Sequence, residues 1–312
     1  MGKNRYECDL HCHTTRSDGA DTPLDLIENA KRAGLKVVAV TDHDIRPPRT
    51  VRTEAGRETD IVELAKERGI ILLRGIEISC QTEVEDVHIL CFGCDWSDPF
   101  FSKLEDSVVA SKIESYKELL KRLEECGMPV AWEEVLDRGG VRIAEEHVQK
   151  KRIFEIMAEK GYVPDWSDAK LLVKNDSRLK TERKKPDPAA VIGEVHRCGG
   201  ICILAHPFLI SDQIVIGTEE MNREEYIERL IEAGIDGIEA CYTYSKTSYD
   251  GNLSDKEIEE YVRETYAKRL PIISGGSDYH ADHKKGVKNA RMLGESGITY
   301  EYFRQNRMLN SL

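Results

Sequence analysis

Apolar residues along this chain follow two periods. Short β-branched and aliphatic runs at 5–10, 35–40, 70–73, 87–92, 201–205, 236–240 and 271–274 read as strands. Between many of them lie amphipathic segments framed by helix signals. Thr22-Pro23-Leu24-Asp25 opens one helix that Gly34 closes, and another ends at Gly69. Asp187-Pro188 caps a third that ends at Gly199-Gly200; a fourth runs over 222–233, and Ser254-x-x-Glu257 caps a fifth. This βαβα order implies an α/β fold with mostly parallel strands and helices outside, in about seven strand–helix units without an internal repeat.

The pattern changes from about 96 to 186. Ser111-x-x-Glu114 opens a helix with Ile113, Tyr116, Leu119, Leu120 and Leu123 at helical spacing, and Gly127 ends it. Further helices are expected near 132–137 and 144–160, before the charged stretch 180–185. The sequence therefore divides into a barrel made of 1–95 and 187–312 and a helical insertion subdomain, 96–186.

The chemistry-bearing residues fall where strands end. His11 and His13 lie two apart after the first strand, with Asp9 in the same phase, so alternation points them one way. Adjacent imidazoles are costly unless something binds them, and a divalent metal is the usual reason. Asp42-His43 follows the second strand, Glu77 the third, His206 the fifth and Asp278-His280 the last, while His88 lies in the fourth. In parallel barrels the strand C-termini share one face, so these groups are expected to converge there. His147, His196 and His283 lack this context; His196, on a capped helix, reads as a surface or packing residue.

Composition narrows the function classes. With 312 residues the chain can bury a large core, and no apolar run approaches membrane-spanning length. Residues 1–7 offer no apolar signal-peptide core, so a cytoplasmic address is expected. Nine cysteines, several inside apolar strand-like runs (Cys80, Cys91, Cys202, Cys241), suit reduced and packed thiols. Cys91-Phe-Gly-Cys94 reads the same way, as buried strand cysteines. A net charge of −12 argues against a protein held on nucleic acid by bulk electrostatics.

The segments Asp9-Leu-His-x-His-Thr, Ser17-Asp-Gly, Thr41-Asp-His-Asp, Gly75-Ile-Glu-Ile, Val87-His-Ile-Leu, Ala205-His-Pro and Ser277-Asp-Tyr-His, in this order, resemble the PHP (polymerase and histidinol phosphatase) family of the amidohydrolase superfamily. The resemblance implies a distorted (β/α)7 TIM-like barrel holding two or three divalent metals, Mn, Zn or Fe. By that pattern His11, His13, Glu77 and Asp278 hold one ion, and Glu77 bridges to a second with His88 and His206. Asp18, His43 and His280 hold a third; some relatives have His where this chain has Asp18. Asp9 and Asp42 are expected to orient imidazoles, and Asp42 or a metal-bound water is the candidate general acid.

The resemblance also implies the reaction. Two cations sharing a water lower its pKa and deliver hydroxide to phosphorus. The expected substrate is a small phosphate ester: phosphorylated ribose, a nucleotide or a small cyclic phosphodiester. Arg16, Arg46, Lys151 and Lys285 are the candidate phosphate contacts, with Lys150, Arg152 and Lys284 beside them. Tyr242, Tyr244 and Phe208 are candidates for stacking on a base or sugar, with packing as the alternative. The competing functions are a 5′-to-3′ exonuclease on short oligonucleotides and a non-catalytic metal-binding regulator.

Overall fold

In the computed structural model, residues 6–53 and 55–312 are described. Contacts divide the chain into two compact units, 1–102 with 186–312, and 103–185. The first unit is built on seven strands in sheet order: β1 (Cys8–Asp9), β2 (Val37–Val40), β3 (Ile71–Ser79), β4 (His88–Phe92), β5 (Ile201–Leu204), β6 (Gly237–Cys241) and β7 (Ile272–Gly275). Of the first strand expected over 5–10, Arg5 lies outside the described residues and only Cys8–Asp9 pairs as a strand. The sheet curls until its ends nearly meet. The Leu10 N–H reaches the Gly275 carbonyl at 3.3 Å, and His13 N–H reaches that of Tyr279 at 2.7 Å. The fold is thus α/β, a distorted TIM-like barrel of seven strands.

One strand departs from the parallel expectation. β4 runs antiparallel to both β3 and β5, whereas the β1–β2, β2–β3, β5–β6 and β6–β7 pairs are parallel. The cause is the short link from Ser79 to His88, since only a crossover of a dozen or more residues returns a chain parallel to its neighbour. Reversal places the start of β4 beside the C-terminal ends of its neighbours, so His88 opens its strand where other site residues close theirs.

Strand alternation sorts the core. Val37 and Ala39 pack with Leu73, Leu90, Ile203 and Ile272 from other strands, which is the barrel interior. Val38 and Val40 pack with Leu26, Ile27, Ile61 and Leu64 of the covering helices. Pro23–Ala33 begins with the expected capping box of Thr22 and Asp25 and ends on Gly34 at φ 80°. Asp187, Asn222 and Ser254 likewise cap Pro188–Arg197, Arg223–Glu232 and Asp255–Tyr266.

In the second unit, helices Trp132–Leu136, Lys150–Glu159 and Trp166–Asn175 and most of Pro99–Glu125 enclose a core that includes Leu119, Leu123, Val135, Ile153 and Met157. The long helix starts twelve residues before the expected Ser111, because Pro99 stands at its first position and Asp98 accepts the Phe100 N–H at 2.9 Å. The expected helix over 144–160 splits into a 3-10 turn, Glu145–His147, and Lys150–Glu159. Trp166–Asn175, capped by Asp165, was not anticipated. Among the described residues no helix is long and apolar enough to cross a membrane, and all nine cysteines are free thiols.

Candidate metal centre

The barrel fixes its polar mouth through backbone bonds. Glu77 lies on the same face of β3 as inward-facing Leu73, four residues on, and is 1% exposed. Its backbone N–H bonds to the Asp42 carbonyl at 3.2 Å, its carbonyl accepts Asp44 N–H at 2.9 Å, and His43 pairs with it as an isolated bridge. His206 and Asp278 adopt left-handed backbone, at φ 27° and 51°, the kind of strain that gathers at working sites. Gly276 lets β7 approach β1: a Cβ there would fall within 2.7 Å of the His11 backbone nitrogen.

Glu77 is the hub. Its Oε1 lies 2.9 Å from His88 Nδ1 and 3.0 Å from His206 Nε2. Its Oε2 faces His11 Nε2 at 3.2 Å, His13 Nε2 at 3.1 Å and His43 Nδ1 at 3.1 Å. Asp278 Oδ1 stands 3.1 Å from His13 Nε2 and 3.5 Å from His11 Nε2. Asp18 Oδ1 lies 3.0 Å from His280 Nε2 and 3.8 Å from His13 Nδ1. All nine residues proposed as ligands from the sequence are thus gathered at one mouth. Eight of the nine fall into three ligand clusters, His11, His13, Glu77 and Asp278; His43, Glu77 and His88; and His13, Asp18, His43 and His280, while His206 stands outside them on Glu77 Oε1.

These side chains suit metal ions better than one another. His11 Nε2, both ring nitrogens of His13, His43 Nδ1 and Glu77 Oε2 are buried without a hydrogen-bond partner despite their closeness. Buried polar atoms are normally satisfied, and mixed imidazole nitrogen and carboxylate oxygen is the donor set of Mn, Zn and Fe. The electrostatics agree. Burial raises the Glu77 carboxyl, but His43, His11 and His88 outweigh it and hold it well below the usual carboxylate range. Asp278 is depressed in the same way by His11 and His280 against its burial. Burial lowers His13, yet Asp278 and Glu77 lift it to about 10, while burial wins at His43 and takes it to about 3.

The supporting carboxylates do different work from that expected. Asp9 holds backbone: its oxygens accept Ser277 N–H at 2.9 Å, Ser277 O–H at 2.6 Å and Gly294 N–H at 2.9 Å, tying the first strand to the last motif. Burial pushes Asp9 up to about 6 against these bonds. Asp42 accepts Thr14 N–H, Thr14 O–H and Ser17 O–H, each at 2.7 Å, and is fully buried. Neither bonds an imidazole ring, and both oxygens of Asp42 accept hydrogen bonds from Thr14 and Ser17. The carboxylate beside an imidazole is Glu239, absent from the expected set. It lies 3.4 Å from His11 Nδ1 and accepts His206 N–H at 2.9 Å. The one sequence signal for it is an acid inside an apolar strand, Gly237–Cys241.

A cleft of about 310 Å³ opens over the cluster, and its basic lining residues are Lys246 and Arg291. Neither was singled out from sequence. Arg291 pairs with Asp278 at 2.5 Å and Asp282 at 3.0 Å, and Lys246 with Glu295 at 2.6 Å. Arg16, Arg46 and Lys285 do not line this cleft. Loop cations are drawn to nearby carbonyls: Arg16 donates to the Arg46 carbonyl at 3.0 Å and Lys285 to that of Asp18. Lys151 lies in the second unit, 3.7 Å from Glu155 and over the Trp166 ring. Tyr242 is buried with its hydroxyl on Asp278, and Tyr244 packs against it. Among the histidines without a strand-end context, His196 bonds Asp236 at 2.8 Å, and His147 and His283 are exposed.

Comparison with known proteins agrees with this geometry. A model of the PHP domain matches residues 9–173. A 5′-3′ exoribonuclease of Haemophilus influenzae is 32% identical over 201 residues, 64% of this chain and 68% of that protein. A phosphoribosyl 1,2-cyclic phosphate 1,2-diphosphodiesterase of Eggerthella lenta is 27% identical and aligns over 87% of this chain and 93% of its own. A 3′,5′-nucleoside bisphosphate phosphatase of Chromobacterium violaceum is 27% identical over 89% and 88%. A solved structure from Bifidobacterium adolescentis, described as a metal-dependent phosphoesterase, superposes at a TM-score of 0.63 with 26% identity, covering 98% of this chain and 96% of that one.

Proposed function

We propose, from the premise that the chain belongs to the PHP domain family, that it hydrolyses small phosphorylated ribosides: nucleotides, phosphorylated ribose or small cyclic phosphodiesters. The chain is a metal-dependent phosphoesterase; the substrate class, the ligand roles and the number of ions are the proposal. The observation that carries it is the knot of partnerless ring nitrogens around Glu77 Oε2. His11, His13, Glu77 and Asp278 hold one Mn, Zn or Fe ion, Glu77, His88 and His206 a second, and Asp18, His43 and His280 a third. Divalent ions held there supply hydroxide at neutral pH and offset phosphoryl charge.

The protein's own residues position this chemistry. Lys246 and Arg291 are committed to carboxylates, so phosphoryl charge falls mainly to the centre itself. Arg291 and Tyr242 fix Asp278, and Glu239 fixes the His206 backbone. Small substrates are favoured because the two relatives aligned over nearly the whole chain are named for them. The second reading, a 5′-3′ exoribonuclease, is favoured by the 32% identity to the Haemophilus influenzae enzyme, over a shorter stretch of 64%. A cytoplasmic address, reading the free cysteines as reduced thiols, completes the proposal.

The test is product analysis with protein loaded separately with Mn, Zn and Fe. A 3′,5′-nucleoside bisphosphate, a ribose 1,2-cyclic phosphate and a 5′-phosphorylated RNA oligonucleotide are compared. Turnover of at least one small ester well above the oligonucleotide is expected. Mononucleotides released from the oligonucleotide, with both small esters untouched, would overturn the reading in favour of the nuclease.

A further inference from the structure

A second and larger cavity, about 560 Å³, adjoins the metal cleft. Leu209 and Ser248 line both, so the two are continuous along the loops that follow β5 and β6. Its volume lies within the range of ligand sites. We infer that this cavity is a nucleobase subsite, and that it prefers bases carrying an amino group. The inference rests on the proposed hydrolysis of phosphorylated ribosides and specifies which of them fit.

The cavity's chemistry excludes a phosphate and suits a base. Its one cation is Arg223, whose guanidinium carbon stands over the Phe208 ring, 4.1 Å from the centroid. Two of its donors are spent, on the Ile210 carbonyl at 3.2 Å and on Asp212 at 3.4 Å. Asp212 and Asp250 stand exposed in the lining, and two carboxylates beside a partly neutralised cation repel a dianion.

A planar, uncharged heterocycle meets the same groups favourably. It stacks on the guanidinium, whose position is set by the ring beneath it. Arg223 has five N–H donors, so three remain beyond those two, and the terminal nitrogens can offer theirs to a ring nitrogen or carbonyl. The carboxylates accept amino hydrogens, as acidic side chains do from cytosine N4. Guanine offers an N1–H and a 2-amino group side by side, a bidentate match to a carboxylate. Uracil offers carbonyl oxygens where guanine offers donors.

Nucleosides without phosphate isolate the subsite from the metal centre. Calorimetry on the chelator-treated full-length protein is expected to give guanosine an affinity about tenfold above uridine. Asp212→Asn with Asp250→Asn, which keeps shape but removes charge, is expected to erase that difference. With metal-loaded enzyme, kcat/KM for guanosine 3′,5′-bisphosphate should exceed that for the uridine compound by the same factor. Equal binding of the two nucleosides, or no binding of either, overturns the subsite; equal hydrolysis of both bisphosphates does so while leaving the phosphoesterase reading standing. Failure to hydrolyse any phosphorylated riboside overturns the substrate reading itself, whatever the nucleosides do.

Discussion

Tyr242 donates its phenolic hydrogen to Oδ2 of Asp278 at 2.7 Å, which leaves Oδ1 turned toward His13 and His11. Burial, then the charge of Asp278, raises the Tyr242 hydroxyl well above the usual phenol range, so it stays a donor. One oxygen of Asp278 is therefore held, and the other is the one the proposed centre would use. Tyr242→Phe removes one of the two holds on Oδ2, Arg291 being the other, and leaves Oδ1 untouched. Metal affinity is expected to fall about 10- to 100-fold, as for other supports of metal ligands, with the fold intact. Metal titration followed by circular dichroism checks both halves.

Glu77→Gln replaces the shared carboxylate with an amide of the same shape. Phosphate release is expected to vanish while the chelator-treated variant still unfolds cooperatively. Wild-type protein gains about 4 kcal/mol of stability at an ion concentration 1,000 times its Kd, and the variant should lose that gain. Thermal melts with and without Mn2+ measure it; a variant retaining most activity and normal metal content would show that Glu77 is not the bridge.

Asp42→Asn separates support from proton transfer. The carboxylate accepts three hydrogen bonds from Thr14 and Ser17; an amide accepts on one side only, so a loss of about 1–3 kcal/mol is expected in denaturant unfolding. The pH–rate profile should keep both limbs at reduced height. Disappearance of the basic limb would restore Asp42 as the general acid.

Metal binding is expected to strengthen as pH rises. Burial opposes the charged forms of His11 and His13, but Asp278 and Glu77 prevail, so both carry protons at neutral pH, His13 up to about 10. Ligation needs neutral imidazole, so each ion displaces protons, and apparent affinity gains up to tenfold per pH unit for each proton displaced. Calorimetry at pH 7 in buffers of different ionisation enthalpy counts them. A pH-independent affinity between 6 and 9 would rule this protonation out.

Much of the site was legible because strand ends carry it. His11, His43, His206 and Asp278 each sit at a junction that the hydrophobic pattern marks, and their residue types are rare there; Glu77 lies inside β3, which runs on to Ser79 past the apolar run at 70–73. His88 was legible for another reason, a polar ring in an apolar run, and the reversed β4 explains its place. Glu239 was hidden because its partners, His11 and His206, lie 228 and 33 residues away. Arg291 was hidden in a loop with no period, where a cation ordinarily signifies only solvation. Basic residues lying next to a motif, Arg16 and Lys285, turn to neighbouring carbonyls and stand outside the cleft lining. In the helical segment the start of Pro99–Glu125 was missed because a buried mid-helix Ser111 mimics a cap.

Asp9 bonds to Gly294 across 285 residues of chain, and Cys8 bridges to Ile298. At about 5–20 residues per second, a ribosome needs on the order of 15–60 s between making these partners. Strand β1 therefore waits for partners made long after it, and a nascent chain stalled before Asp278 lacks the carboxylate that faces His11 and His13. The mouth of the barrel is thus complete only after both ends of this 285-residue span have been made.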